Sequence, residues 1–232
     1  MVTSVVVAIL NPPKGLLMPS FLHTPPSKTA RIWGGVVLCL ALTNCTSLLP
    51  TTGQEETRTY LLEANITKGV STTTKAGPTL VVAMPDASPG LDSTGIAYVR
   101  EPHRLDYYLK SQWADTPRRM IRPLLVTALE ATGQFRAVLA APSPLSGDML
   151  LETEILRLQQ EFLGEPSQVR LILRAQLVNV SQRQVMGTQV FETLEPTPTP
   201  DAYGGVQAAN RALSRLLTEL ATFVAALPQA SR

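Results

Sequence analysis

The chain predicts a single α+β domain: a mostly antiparallel β-sheet covered on one face by two helices. Three observations predict it. Between Met149 and Phe191 apolar and polar residues alternate over three long runs separated by turn residues, which is the period of half-buried strands. Two other stretches, Met120–Leu129 and Val206–Leu227, space their apolar residues three and four apart, as a helix buried along one side requires. No internal repeat or change in composition divides these segments into two cores, and their combined length suits one domain.

The elements follow in chain order. Tyr60–Ala64 reads as a short first strand, and a Thr-, Lys- and Gly-containing loop then leads to Thr79–Met84. That second run is continuously apolar, β-branched at Val81 and Val82 and stopped by Pro85, the pattern of a buried strand. Gly95–Arg100 and Leu105–Lys110 flank the turn Glu101–Arg104 and form a hairpin. In its second arm Leu105, Tyr107 and Leu109 are expected on one side, with Asp106, Tyr108 and Lys110 on the other. Thr116 is a helix N-cap with Pro117 at the first helical position, and Gly133 is the stop. Pro123 removes a backbone donor inside this helix, so the helix is expected to start late or to kink. After a short strand at Phe135–Ala140 comes Met149–Phe162, whose phase slips at Ile155–Leu156, the mark of a bulge. Val169, Leu171, Leu173, Ala175 and Leu177 alternate with Arg170, Arg174 and Gln176, and Ser181–Gln182 turns the chain into Val185–Phe191. Glu195–Pro200 reads as a stiff extended linker to the terminal helix.

Residues 1–44 have a different character. Lys28 and Arg31 precede Ile32–Leu42, a run of 11 mostly apolar residues, and Thr43, Asn44 and Cys45 follow. This order of basic, apolar and small-plus-cysteine resembles a bacterial lipoprotein leader. In such a leader the Cys45 thiol is alkylated by a diacylglyceryl group, the preceding peptide is cut, and the new amino terminus is acylated. Leu42 and Thr43 fit the usual box, and Asn44 stands where Gly or Ala is preferred. The apolar run falls short of the ~20 residues a membrane span needs, so it reads as a signal core. An ordinary cleaved leader would leave Cys45 as a free thiol in an oxidising compartment. Residues 1–31 are long for a basic region and contain an apolar patch of their own, Val5–Leu10. A start at Met18 gives a more ordinary leader, so Met1–Leu17 is expected either to lie before the true start or to be a tolerated extension. The expected organisation is a signal peptide over 1–44, a lipidated cysteine and flexible tether over 45–59, one domain over 60–227 and a tail over 228–232. As a coil, the 14 residues Thr46–Thr59 span ~20 Å on average.

Composition excludes several classes of function. The leader holds Lys14, Lys28 and Arg31 and no acid, which leaves residues 45–232 with 17 basic and 18 acidic side chains. A nucleic-acid partner needs a dense cationic footprint and is not expected. Cys39 lies in the leader and Cys45 is the acylation site, so neither a disulfide nor a metal site is expected. His103 is the one histidine after the leader and sits beside a proline in a turn, which leaves a hydrolytic triad without a convincing base. Glu152 and Glu154 share a strand face as paired catalytic carboxylates can, but plain alternation predicts the same placement. We therefore expect no catalytic residue and no enzyme. Tyr98, Tyr107, Tyr108 and Trp113 gather within 16 positions and are the candidate interface residues, against the competing reading that they fill the core.

These residues also carry a resemblance. Gly95–Tyr98, Leu105–Tyr108, Trp113–Asp115 with Pro117, a helix ending at Gly133–Phe135, the long strands, and the alanine-rich helix around Ala208–Asn210 together resemble the ABC-type transport auxiliary lipoproteins. These are the paraquat-inducible protein C type of subunit found with MCE-domain lipid transporters. The likeness covers Tyr60 to about Leu227 in the family's order and spacing. It implies a non-catalytic periplasmic lipoprotein that assists lipid movement between membranes, with an MCE-domain protein and an ABC permease and ATPase as partners. It implies no cofactor beyond the covalent lipid on Cys45. Thr46 in place of Asp after the cysteine favours anchoring in the outer membrane over the inner one. The alternative is a scaffold or activator lipoprotein of another envelope-assembly machine. The lipid carried, its direction of travel, and the choice between monomer and homo-oligomer stay open.

Overall fold

The longest alternating run of the sequence becomes the axis of the sheet. The computed structural model describes residues 56–66 and 77–227; the leader, Cys45, most of the tether, the Thr/Lys/Gly loop and the tail lie outside them. The described strands are β1 Arg58–Tyr60, β2 Thr79–Val82, β3 Asp86–Ala87, β4 Gly95–Val99, β5 Asp106–Trp113, β6 Ala137–Ala140, β7 Met149–Glu161, β8 Gln168–Asn179 and β9 Gln184–Pro196. The helices are α1 Pro117–Glu130 and α2 Ala202–Ala226. They form one α+β domain.

One edge of β7 pairs antiparallel with β8 along its whole length, and β8 pairs likewise with β9. The other edge of β7 is shared end to end by β2, β3 and β4, all parallel to it. Punctuation in the sequence explains this division. Pro85 separates β2 from β3, and the turn after Ser88, with Gly90 at φ +89°, separates β3 from β4. A proline has no N–H to donate, so a chain walking along β7 must break its ladder there. β6 then adds to β2 in parallel, β5 adds to β4 antiparallel, and β1 adds to β5 in parallel. The sheet is thus mixed, with its long ladders antiparallel and its parallel ladders short.

Alternation along β7 and β8 is as expected. Met149, Leu151, Ile155, Leu171, Leu173 and Leu177 are buried on one face. On the other, Glu154 pairs with Arg174 at 2.7 Å and Glu161 with Arg170 at 2.9 Å. Ile155 faces Leu173 and Arg157 faces Ile172, which leaves Leu156 as the extra residue of the expected bulge. Burying one aliphatic side chain contributes ~1.5–3 kcal/mol, so this inner face and the two helices that cover it dominate the stability.

Three expectations need correction. The first strand is Arg58–Tyr60, earlier than Tyr60–Ala64. Residues after Tyr60 instead run along α2, where Glu63 N–H donates to Asn210 Oδ1 and Asn65 N–H to Ser214 Oγ, both at 3.0 Å. Helix side chains here satisfy backbone donors that a sheet partner would otherwise take. Of the two outcomes expected for α1, a late start is excluded: the helix begins at Pro117 and runs through Pro123, which is exposed. Glu195–Pro200 is not a free linker, because β9 continues through Pro196. As an outermost strand β9 tolerates a missing donor. Glu195 is buried there, taking Arg215 Nη1 at 2.5 Å, and this pair clamps β9 to α2.

Candidate interaction surface

The expected aromatic segment is split by a bulge. Gly95 faces Gln112, yet Ala97 faces Tyr107, so β5 carries three more residues than β4 between those pairs. The surplus pushes Leu109 outward until it is 94% exposed. Alternation holds from Asp106 to Leu109, then slips at Lys110, so that Ser111 and Trp113 turn inward.

The four candidate residues therefore have three different fates. Trp113 is 3% exposed and part of the core, which removes it from the surface residues; the slip in β5 is the reason. Tyr107 lies on the outer side, its ring against Gly95 and its hydroxyl donating to the Gly90 carbonyl at 2.7 Å. A Cβ on Gly95 would stand 2.7 Å from that ring, so the close approach requires glycine. Tyr98 and Tyr108 come together, with ring centroids 4.8 Å apart.

Two residues that sequence reasoning left out complete this cluster. Phe162 meets Tyr98 edge-on at 6.1 Å, and the Arg100 guanidinium lies 4.5 Å from the Phe162 ring centre and 5.4 Å from that of Tyr98. Phe162 and Arg100 follow the ends of β7 and β4, which the parallel pair Val99 and Glu161 brings side by side. No local pattern could reveal that, because the partners are 62 residues apart in the sequence.

Behind the rings runs a polar network. Tyr108 Oη donates to Gln160 Oε1 at 2.9 Å, Gln160 Nε2 donates to Ser167 Oγ at 3.2 Å, and Ser167 Oγ lies 2.6 Å from Thr197 Oγ1. Burial pushes the Tyr108 hydroxyl up to about 12, against the opposing pull of Arg100. The same end of the sheet holds the start of α2. Asp201 caps that helix by accepting from Gly204 N–H at 2.7 Å, and this bond, with one from the Thr199 hydroxyl, holds its carboxyl below the usual range. Tyr203, in the first turn of α2, is 52% exposed and has its ring 6.2 Å from that of Tyr60.

This end thus presents rings, the Arg100 guanidinium over them and the exposed Leu109, with each polar atom of the network engaged. His103 is exposed in the β4–β5 turn at φ 68°, and Glu154 is held by Arg174. Among the described residues no three His, Cys, Asp or Glu side chains gather as a metal site, and no helix is long and apolar enough to cross a membrane. A concavity of about 420 Å³ lies between the helices and is lined by Ile66, Ala128, Thr132, Leu217 and Ala221.

Comparison with known proteins agrees with this architecture. A crystal structure of a protein from Xanthomonas campestris is 24% identical, superposes with a TM-score of 0.64, and matches over 72% of this chain and 93% of that one. A second, uncharacterised protein of known structure is 15% identical, with a TM-score of 0.57, over 73% of this chain and 99% of its own. These likenesses establish the fold. No curated protein matches the chain by sequence. The family model for the ABC-type transport auxiliary lipoprotein component matches residues 60–221, from the end of β1 to within the last turns of α2. The chain therefore belongs to the ABC-type transport auxiliary lipoprotein family.

Proposed function

We propose that this chain is a non-catalytic periplasmic lipoprotein, anchored in the outer membrane through acyl chains on Cys45, that serves an MCE/ABC-type system moving lipid between membranes. Family membership over residues 60–221 carries the reading, since it supplies the role of an auxiliary lipoprotein in ABC-type transport. The finer statements about Cys45, the outer membrane and the MCE-domain partner are our own. The basic–apolar–cysteine order of the leader supports the anchor, and Thr46 supports the outer membrane. Three acyl chains hold a protein on a bilayer stably, where even two signals suffice. A permease and an ATPase would supply the transport work, and this chain would contribute docking. Tyr98, Tyr107 and Tyr108 stay our candidates for contact with membrane or transporter, while Trp113, buried in the core, is not one.

The test begins with radiolabelled palmitate in a host that processes lipoproteins. Wild type should take up label and sediment with outer membranes, whereas Cys45→Ser should do neither. Label retained by the substituted chain would overturn the anchor. Cross-linking in intact envelopes, followed by purification of the chain, should recover an MCE-domain protein. Recovery of a different envelope machine in its place would overturn the transport assignment.

A further inference from the structure

The register of β1 says from which direction the tether arrives. β1 runs parallel to β5 with Arg58 opposite Ser111 and Tyr60 opposite Trp113. Traced backward from Arg58, the chain passes toward the Asp106 end of β5. That end of the sheet holds the β4–β5 turn, the β7–β8 turn, the end of β9 and the start of α2. From Cys45 to Arg58 there are 13 residues, which reach no farther than about 47 Å at ~3.6 Å per residue. A segment of this length holds its domain at an effective concentration on the order of millimolar at the surface that anchors it. Weak adhesion is then enough to keep one end of the domain down.

The end nearest the tether has the side chains for such adhesion. Leu109, on the β5 bulge, is 94% exposed, and Leu163, in the β7–β8 turn, is 55% exposed. Leu163 follows directly after Phe162, which belongs to the ring cluster beneath Arg100. A guanidinium lying over rings keeps its charge near water while its stem stays in apolar surroundings, an arrangement suited to the phosphate level of a bilayer. The acids of the β4–β5 turn do not oppose this, since Arg104 pairs with Glu101 at 2.9 Å and with Asp106 at 3.0 Å. Exposed apolar residues also occur at the opposite end, namely Leu145, Val180 and Val185. The chain enters beside the Asp106 end of β5, and this favours that end over the opposite one.

We propose that the Leu109 bulge and the Leu163 turn rest on the phospholipid surface, so that the β7–β8 end of the sheet faces the membrane and the β8–β9 turn faces away. The proposal rests on the acylation of Cys45 argued above. It is tested on the full acylated chain in phospholipid vesicles, with a fluorophore on Leu109→Cys or, in a separate protein, on Gln182→Cys in the β8–β9 turn. Acylation consumes Cys45 and leader removal takes Cys39, so each introduced thiol is unique. Interfacial side chains lie in the headgroup and upper acyl region, so spin-labelled lipid should quench the probe at 109 about two-fold or more beyond the probe at 182. Equal quenching, or stronger quenching at 182, would overturn the orientation while leaving the anchor intact. Flotation of the protein with the vesicles reports the anchor separately. A chain that stays behind would remove the acylation reading, and this proposal with it.

Discussion

Trp113 and Leu109 lie four positions apart on one strand, and the bulge between them predicts opposite responses to the same kind of truncation. Trp113→Ala removes a ring that is 3% exposed and surrounded by the main core. Deleting a buried large aromatic costs ~3–5 kcal/mol, transfer and cavity terms together, a large share of the ~5–15 kcal/mol that a domain has in total. Leu109→Ala removes a side chain already in water and should change stability by no more than ~0.5 kcal/mol. Equilibrium urea unfolding of a soluble form beginning at Gln54, where the compact unit begins, measures both. With a denaturant slope of ~2 kcal/mol/M, the Trp113 midpoint should fall by roughly 2 M and the Leu109 midpoint should stay in place. Equal small shifts would refute the inward turn of β5 at Ser111, and a large loss at Leu109 would refute the bulge.

Further outcomes follow from the polar groups. Tyr108→Phe leaves Gln160 Oε1 without its donor, and a buried acceptor so abandoned costs ~1–3 kcal/mol; thermal or urea unfolding should show it, and an unchanged midpoint would mean that water takes the tyrosine's place. In the wild type this phenol should ionise only near about 12 by ultraviolet titration. Since the folded value lies above the unfolded one of ~10, its contribution is complete below that pH and is lost as pH rises toward the folded value. Asp201→Ala removes the cap of α2 and should cost ~1 kcal/mol at neutral pH. Here the folded carboxyl lies below the unfolded value of ~3.9, so the stabilisation is present above that pH and fades as pH falls through the folded value. The gap in melting temperature between wild type and Asp201→Ala should accordingly close in acid, and a gap that widened there would reverse the assigned sign.

The sequence alone determined the class of the fold, its long strands and its helices, because each depends on burial of one face and each face writes a fixed period into its own segment. Val169–Leu177 could alternate only as a half-buried strand, and Leu156 showed its bulge as a break in phase. The stop at Gly133, which adopts a positive φ of 68°, is equally local. What tertiary structure decided is where segments distant in the chain meet. Three short parallel strands share one edge of β7 because Pro85 and the Ser88–Gly90 turn interrupt them, and nothing in any single strand names that partner. The pairing of β4 with β7 brings Arg100 and Phe162 to Tyr98, and the unequal lengths of β4 and β5 send Leu109 outward and Trp113 inward. An aromatic run of even appearance thus becomes part core and part surface, because side-chain direction in a strand follows register, and register belongs to pairs of strands.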